Sequence, residues 1–293
     1  MLAAEKVFLS FSDSRYAAAL SRIQRQAEAL GVYDRVVTMS DEDLQADFAR
    51  KHQDLLRPDV RGFGYWIWKP FIIAQLLDEL AEGSLVHYAD AGCHLNPRGI
   101  ARLHDYFNHA LESESGLTAF QARTPGPPLK HDGRTLPQYV DEAWTKGDLI
   151  DRLGVRHRPD ILTTPTVGAG ILFVRKGSLG EEVVREWSQI CSEDNRFIDD
   201  SPSLSPNEAA FVEHRHDQAV FSLLVKLRRL PTYSAFEYWY PQQNSMKPDW
   251  RAIADFPIHA RRDLGRVTEP EGRRRRARLL AWRVLGDARR LFP

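Results

Sequence analysis

The sequence predicts an α/β fold in which a mostly parallel sheet is flanked by helices. Three apolar runs have the length and composition of buried strands: Lys6–Ser12, Ser84–Tyr88 and Val167–Val174. Between the first two runs, apolar residues recur at the three- and four-residue spacing of amphipathic helices. Alternation of strands and helices along a chain is typical of parallel sheets with helices on both faces.

Turn and cap signals divide the chain further. Gly31 stops the first predicted helix, Ser40 is a suitable N-cap for the second, and Gly83 separates the third from the strand that follows. Short strands are expected over 36–39 and 256–262, and residues 124–135 are rich in Pro and Gly and are expected to form a loop. Helices are expected over 13–30, 41–56, 71–80, 144–153, 179–192 and 208–227.

Charge is divided unevenly along the 293 residues. The formal net charge is zero, but residues 251–293 hold 12 Arg and 5 acidic residues, a net charge of +7. We therefore expect a domain over 1–265, acidic before residue 251, and a basic tail over 266–293. Apolar residues of Arg273–Phe292 fall on one helical face, which indicates a helix lying on an anionic membrane surface or, alternatively, one packed on the domain. No nucleic-acid partner is expected, because the body is acidic.

Cysteine use and hydropathy indicate a cytoplasmic protein, either soluble or peripheral on the inner face of the membrane. Cys93 and Cys191 form no C-x-x-C pair, and two reduced thiols are expected. The N-terminus lacks the layout of a signal peptide. No apolar run approaches the roughly 20 residues that a membrane-spanning helix needs.

Asp90 is the most informative single residue. It ends an apolar strand and is followed by two small residues, at the carboxyl edge where α/β sheets bind their ligands. A carboxylate there can bind a divalent cation that bridges phosphates, or a ribose hydroxyl, or it can merely cap the next segment. Residues expected at a donor site, at this edge or in the segment Arg61–Pro70, are Ser10, Phe11, Ser12, Tyr65, Lys69, Asp90, Ala91 and Gly92.

Further polar and aromatic groups extend this candidate site. In Arg61–Pro70, rings can stack on a base or sugar and Lys69 can reach a phosphate, although the tryptophans also suit a core. Asp217 is a candidate general base, or a group that positions the sugar, or part of a solvated polar stripe. Sugar or acceptor contacts are expected, against a helix start or a bulge as alternatives, from Trp144, Lys146, Asp148, Gly168, Ala169, Gly170, His216 and Gln218.

Two segments together resemble a known family. G-F-G-Y-W-I-W-K-P at Gly62–Pro70, followed by D-A-G-C at Asp90–Cys93, resembles bacterial glycosyltransferases of capsular and O-antigen polysaccharide clusters. The resemblance covers roughly residues 5–262 and extends to W-T-K-G-D at Trp144–Asp148, the strand around Gly168–Gly170, and E-H-R-H-D-Q at Glu213–Gln218.

The resemblance implies a GT-A-like fold and transfer of a sugar from a nucleotide-sugar donor, which we expect to be UDP-linked. The acceptor would be a saccharide or a lipid-linked saccharide in cell-surface polysaccharide synthesis. It also implies that Asp217 and Gln218 face the active site, with Asp90 and Asp217 as the catalytic pair. The alternative is a non-catalytic protein that binds a nucleotide or a sugar and carries a membrane-associating tail.

The sequence departs from the GT-A pattern at one position. Such enzymes commonly carry D-x-D at this strand end, and the second acid is here Gly92. A divalent cation, Mn²⁺ or Mg²⁺, would then be held by Asp90 with a late ligand such as His259. Alternatively, Arg261, Arg262 or Lys69 would neutralise the diphosphate without a metal.

Overall fold

The computed structural model describes residues 4–123, 130–131, 134–135, 139–242 and 247–265. The predicted tail, 266–293, and most of the predicted loop 124–135 lie outside the described residues. The strands are β1 (Lys6–Phe11), β2 (Arg35–Met39), β3 (Leu85–Ala89), β4 (His94–Leu95), β5 (Leu117–Gln121), β6 (Lys130–His131), β7 (Arg134–Thr135), β8 (Val167–Arg175), β9 (Thr232–Ser234) and β10 (Ile258–His259).

The helices lie between these strands, in groups of one to three. They are α1 (Ala17–Leu30), α2 (Ala46–Lys51), α3 (Gly62–Tyr65), α4 (Trp68–Glu79), α5 (Ile100–Glu112), α6 (Asp141–Trp144), α7 (Gly147–Arg152), α8 (Pro159–Leu162), α9 (Leu179–Glu193) and α10 (His216–Leu227). None of the helices in the part of the chain that is described is both long and apolar enough to cross a membrane.

Six strands form the main sheet, in the order β2-β1-β3-β8-β5-β9. β1 pairs in parallel with β2 and β3, and β5 pairs in parallel with β9. β8 is antiparallel to both of its neighbours, β3 and β5. Within this sheet β8 alone therefore runs against the common direction, and the prediction of a mostly parallel sheet is confirmed.

Helices cover both faces of the sheet, as alternation along β1 shows. Val7, Leu9 and Phe11 point into a core shared with α4, α9 and α10, whereas Phe8 points to the opposite core with α1 and α5. Successive side chains of a strand point to opposite faces, so a run buried on both sides reads as continuously apolar. This explains why the apolar runs were reliable strand signals.

Some predicted elements differ from the observed ones. The helix expected over 208–227 begins only at His216, because the amides of Val212 and Arg215 bond to the carbonyls of Ala143 and Trp144 instead of to their own helix. The helix expected over 144–153 is divided between α6 and α7 by extended residues. Ser40 is a cap as predicted, but of a short 3-10 turn that precedes α2.

Candidate functional site

The carboxyl ends of β1 and β3 lie side by side because these strands pair in parallel. The Ser10 hydroxyl donates to the Ala89 carbonyl at 2.8 Å, and the Asp90 amide donates to the Gly170 carbonyl at 2.8 Å. Ser12, one residue beyond β1, has a buried hydroxyl that finds no hydrogen-bond partner among the described residues. The structure thus brings three predicted segments, at 10–12, 90–92 and 168–170, to one edge of the sheet.

Lys69, Asp90 and Asp217 form a cluster at this edge, which we call the carboxylate–lysine cluster. The Lys69 ammonium lies 3.3 Å from Asp90 Oδ1 and 3.3 Å from Asp217 Oδ2. Lys69 and Asp217 are each 3% exposed, whereas the Asp90 side chain is 41% exposed. Asp90 is therefore the member of the cluster that is open to solvent, whereas the other two are buried.

Packing at the start of α4 holds Lys69 in this buried position. The Trp68 ring stacks on Phe11 with ring centroids 3.9 Å apart, and its indole N–H donates to the Gly62 carbonyl at 3.1 Å. The ammonium also lies over the Tyr88 ring, 5.7 Å from its centroid. Trp68 is therefore a core residue, which is one of the two roles that the sequence left open for the tryptophans.

Burial and the neighbouring charges shift the pKa values of Asp217 and Lys69, the two buried members of the cluster. Burial raises the pKa of Asp217 to about 7; the Lys69 ammonium opposes this shift and the Asp90 carboxylate reinforces it. Burial alone would lower the pKa of Lys69, but the two carboxylates outweigh it and raise the pKa above its usual value. Lys69 therefore remains an ammonium, while Asp217 changes its charge near neutral pH.

Two aromatic residues that were not among the predicted site residues hydrogen-bond to Asp90 and Asp217. The Tyr88 hydroxyl donates to Asp90 Oδ1 at 2.7 Å, and the Trp187 indole N–H donates to the Asp217 backbone carbonyl at 2.8 Å. Tyr88 precedes Asp90 by two residues, so the period of a strand was a signal that could have identified it. Trp187 lies 30 residues from Asp217, and no local pattern links them.

The segment 258–265, which we call the C-terminal strap, crosses the loop after β3. The Asp263 amide donates to the Gly92 carbonyl at 3.0 Å, and the Arg22 guanidinium donates to the carbonyls of Ala91 and Asp263 at 2.8 Å each. A Cβ on Gly92 would lie 3.2 Å from the Cα of Arg262. The strap therefore rests directly on the residue that stands where a second acid is usual.

The strap also brings arginines to the loop after β3. Arg261 and Arg262 are exposed, and neither forms an ion pair with a carboxylate in the part of the chain that is described. The Arg261 guanidinium lies over the Trp250 ring, 5.1 Å from its centroid. Arg262 has a φ of +54°, a left-handed conformation that costs energy for a residue with a side chain.

The residues at this edge do not fit a divalent-cation site. Within the described ranges, no three His, Cys, Asp or Glu side chains converge as ligands. Asp90 Oδ1 already accepts from Tyr88 and faces Lys69, and Gly92 offers no side chain. His259, the predicted late ligand, lies opposite His94 in the β10–β4 pair, and its Nε2 bonds to the Ile253 carbonyl at 2.9 Å.

Gly168, Ala169 and Gly170 lie at the start of β8. Because β8 runs antiparallel to β3, its start lies beside Asp90 at the end of β3. A Cβ on Gly170 would lie 2.7 Å from Asp90 Oδ2, and one on Gly168 would lie 2.5 Å from the Tyr238 hydroxyl. Ala169, on the opposite face of the strand, is buried in the core. The two glycines therefore make room for the side chains of the site.

Lys146 and Asp148 turn inward and hold the segment 199–205. Lys146 Nζ lies 2.9 Å from Asp199 Oδ1, and the Asp148 carboxylate accepts from the amides of Leu204 and Ser205 at 2.9 and 2.8 Å. To contact a sugar, as predicted, Lys146 and Asp148 would have to break these bonds with the segment 199–205. Trp144 is half-buried, and the Arg215 guanidinium lies 4.3 Å from its ring centroid.

His216 and Gln218 flank Asp217 at the start of α10. His216 Nδ1 bonds to the Ile198 carbonyl at 2.6 Å, and burial lowers the pKa of the ring to about 2, so the ring is neutral and its Nδ1–H is the donor. Its Nε2 is buried with no hydrogen-bond partner among the described residues, and the ring centroids of His216 and Tyr65 are 5.1 Å apart. Gln218 is half-buried.

Tyr65 belongs to a strained turn. Five consecutive residues, 62–66, have positive φ, and three of them, Phe63, Tyr65 and Trp66, are not glycine. Each such residue costs about 1–3 kcal/mol and persists only where the surroundings enforce it, a situation that is common at functional sites. This turn leads directly into α4 and thus into Lys69.

Comparisons with known proteins give structural matches only. No protein-family model matches this chain, and no curated protein matches its sequence. A glycosyltransferase that glycosylates the major capsid of PBCV-1 matches with a TM-score of 0.43 and 11% identity, over 86% of this chain and 90% of that one. The galactosyltransferase LgtC matches with a TM-score of 0.43 and 13% identity, over 86% of both chains.

Mouse xyloside xylosyltransferase 1 matches with a TM-score of 0.41 and 9% identity, over 80% of this chain and 86% of that one. All three are glycosyltransferases. At these low identities and TM-scores, nothing about their donors or acceptors is inferred for this chain.

Proposed function

We propose that this chain is a GT-A-like glycosyltransferase that uses a nucleotide-sugar donor. The observation that carries the proposal is the carboxylate–lysine cluster at the joint carboxyl ends of β1 and β3, where Asp90 alone is open to a ligand. Ligands of open α/β sheets bind outside such strand ends. The motifs at Gly62–Pro70 and Asp90–Cys93, which resemble capsular and O-antigen glycosyltransferases, converge on this same cluster.

In the proposed reaction, the bond between the anomeric carbon and the donor phosphate oxygen breaks, and a bond to an acceptor hydroxyl oxygen forms. The acceptor proton goes to Asp217 in our assignment, because a pKa of about 7 suits a general base at neutral pH. Asp90 contacts the donor. Asp217 is 3% exposed, so this assignment requires the acceptor hydroxyl to reach a buried carboxylate. This assignment predicts inversion; retention, with the proton going to the leaving diphosphate, would show instead in the anomeric configuration of the product.

The donor is proposed to be UDP-linked, and the acceptor a saccharide or lipid-linked saccharide of cell-surface polysaccharide synthesis. A cytoplasmic enzyme, peripheral on the inner face of the membrane through Arg273–Phe292, would meet such an acceptor. The support for these finer points is the sequence resemblance and the basic tail.

A thermal-shift screen of UDP-, GDP-, CMP- and dTDP-sugars tests donor binding, since a ligand of the folded state raises the melting temperature. Release of free sugar and transfer are then measured for the wild type, Asp90→Ala and Asp47→Ala. Asp47 is a control carboxylate whose side chain is 91% exposed on α2. We expect Asp90→Ala to lose activity while folded and Asp47→Ala to keep it. Binding without any turnover in the wild type would favour the non-catalytic binding protein instead.

A further inference from the structure

Lys69 places a positive charge at the carboxyl ends of β1 and β3, outside which ligands of open α/β sheets bind. Its ammonium lies 3.3 Å from each of two carboxylates, is 3% exposed, and remains charged because both carboxylates stabilise it. Removing one partner from such a buried pair is strongly unfavourable, so the ammonium is a permanent part of the folded site. Its single positive charge stands directly behind Asp90.

The loop after β3 leaves little room for a second acidic ligand. A Cβ at Gly92 would lie 3.2 Å from the Cα of Arg262, closer than side chains normally pack against backbone. The bond between the Asp263 amide and the Gly92 carbonyl fixes this contact, and Arg22 ties the loop and the strap together. The strap therefore crowds a side chain at position 92 and disfavours a second carboxylate there.

The same strap supplies cations. Arg261 and Arg262 are exposed beside the loop and have no carboxylate partner in the described ranges. A guanidinium presents several N–H groups in a planar fork that matches two phosphate oxygens at once. Unpaired arginines beside a strand-end loop of small residues are therefore suited to a diphosphate.

We propose that this chain binds the diphosphate of a nucleoside diphosphate or its sugar without a divalent metal ion. Arg261 and Arg262 contact the phosphate oxygens, and Lys69 is the fixed counter-ion of Asp90 and Asp217. The proposal rests on the proposed function, since it concerns the donor of that same site.

Isothermal titration of the full chain with UDP, in EDTA and in MnCl₂, tests the proposal. We expect dissociation constants that agree within about twofold. Binding that appears only with Mn²⁺ would overturn the metal-free site and leave the glycosyltransferase proposal standing. If UDP, GDP, CMP and dTDP and their sugars fail to bind in either buffer, the glycosyltransferase proposal itself fails. The Mn²⁺ EPR signal should also be unchanged by the protein alone, and its stoichiometric loss would contradict the proposal.

The variant Arg262→Gly isolates the contribution of the arginine. Its φ of +54° suits glycine, so we expect the melting temperature to hold or rise slightly while metal-free UDP affinity falls about tenfold or more. Arg229→Gly is the matched control, since Arg229 is also exposed, has a φ of +53°, and follows the far end of α10 from Asp217. Unchanged UDP affinity in Arg262→Gly, or an equal loss in Arg229→Gly, would remove Arg262 from the phosphate site.

Discussion

A lysine side chain buried between two carboxylates ties the stability of this protein to its site. We predict that Lys69→Met lowers the free energy of unfolding by about 3–5 kcal/mol, because the buried Asp217 carboxylate then lies beside the partly exposed Asp90 carboxylate without a counter-ion. Adding Asp217→Asn removes one of those charges, so the double variant should be more stable than Lys69→Met alone. Urea unfolding of the four proteins of this cycle measures the coupling. If the losses of stability in the two single variants add up to the loss in the double variant, Lys69 and Asp217 are not energetically coupled.

The pKa of Asp217 makes stability depend on pH in a definite direction. Its folded-state pKa of about 7 lies above the ordinary value of 3.8, so the folded chain keeps a proton that the unfolded chain releases. The resulting stabilisation is complete below about pH 4 and is lost as the pH rises through about 7. We predict that the wild type loses stability relative to Asp217→Asn over this interval and not above it. If the free energies of unfolding of the two proteins change by the same amount between pH 5 and 8, the assigned pKa is contradicted.

Single residues were predictable from the sequence where a local pattern marked them. Asp90 follows a buried strand, and its place at the open edge follows from that pattern. The partnership of Asp90 with Lys69 and Asp217 was not predictable in the same way, because the ion pairs join α4, the end of β3 and the start of α10. Lys146 and Asp148 show the opposite case: an acidic and basic motif that suggested a ligand contact serves to hold a loop.

At the scale of elements, the start of β8 is fitted to the carboxylate beside it. We predict that Gly170→Ala displaces the Asp90 carboxylate, since the new Cβ would lie 2.7 Å from Oδ2, and that donor turnover falls about tenfold or more. The side chain can rotate away, so the melting temperature should change little. The same substitution in an Asp90→Ala background should have no further effect on residual turnover. A further loss there would mean that Gly170 acts by another route.

Element boundaries show why the rest of the site escaped prediction. The amphipathic pattern suggested one helix over 208–227, yet the chain before His216 bonds to α6 and α10 starts at a residue with a φ of +54°. Asp217 therefore lies in the first turn of α10, directed at the sheet edge, rather than in mid-helix. Long-range backbone bonds of this kind leave no periodic signal in the sequence.

At the scale of the whole molecule, the order of strands creates the site. Both faces of the sheet are covered by helices, so the open strand edge is where polar groups from distant segments can meet. The reversed strand β8 adds its amino-terminal end to the carboxyl ends of β1 and β3. The strand–helix alternation predicted this class of fold, but β5, β9 and α5 had no prediction. β5 and β9 are too short to show a clear period, whereas the buried residues of α5, at positions 103, 106, 107 and 110, do follow the period of a helix, so this signal was present and was missed.

The basic tail, Arg273–Phe292, is a prediction for the intact chain. We expect the full chain to float with vesicles rich in anionic lipid and a chain cut before Gly272 to stay behind, because each arginine near an anionic surface contributes about 1 kcal/mol. Vesicles of neutral lipid are the control and should bind neither protein. Equal flotation of both proteins on anionic vesicles would show that the tail does not contribute to membrane binding.

The contact between Gly92 and the strap limits how such a site can evolve. A single Gly92→Asp change would place the new acid against Arg262, where an ion pair with the arginine would form more readily than a metal site. Gaining a metal would require the strap to move or lose its arginines at the same time. If this chain binds its donor without a metal, as we propose, a metal-dependent form differs from it by paired changes in two distant segments, and a variant carrying only one of these changes is expected to be worse than either form.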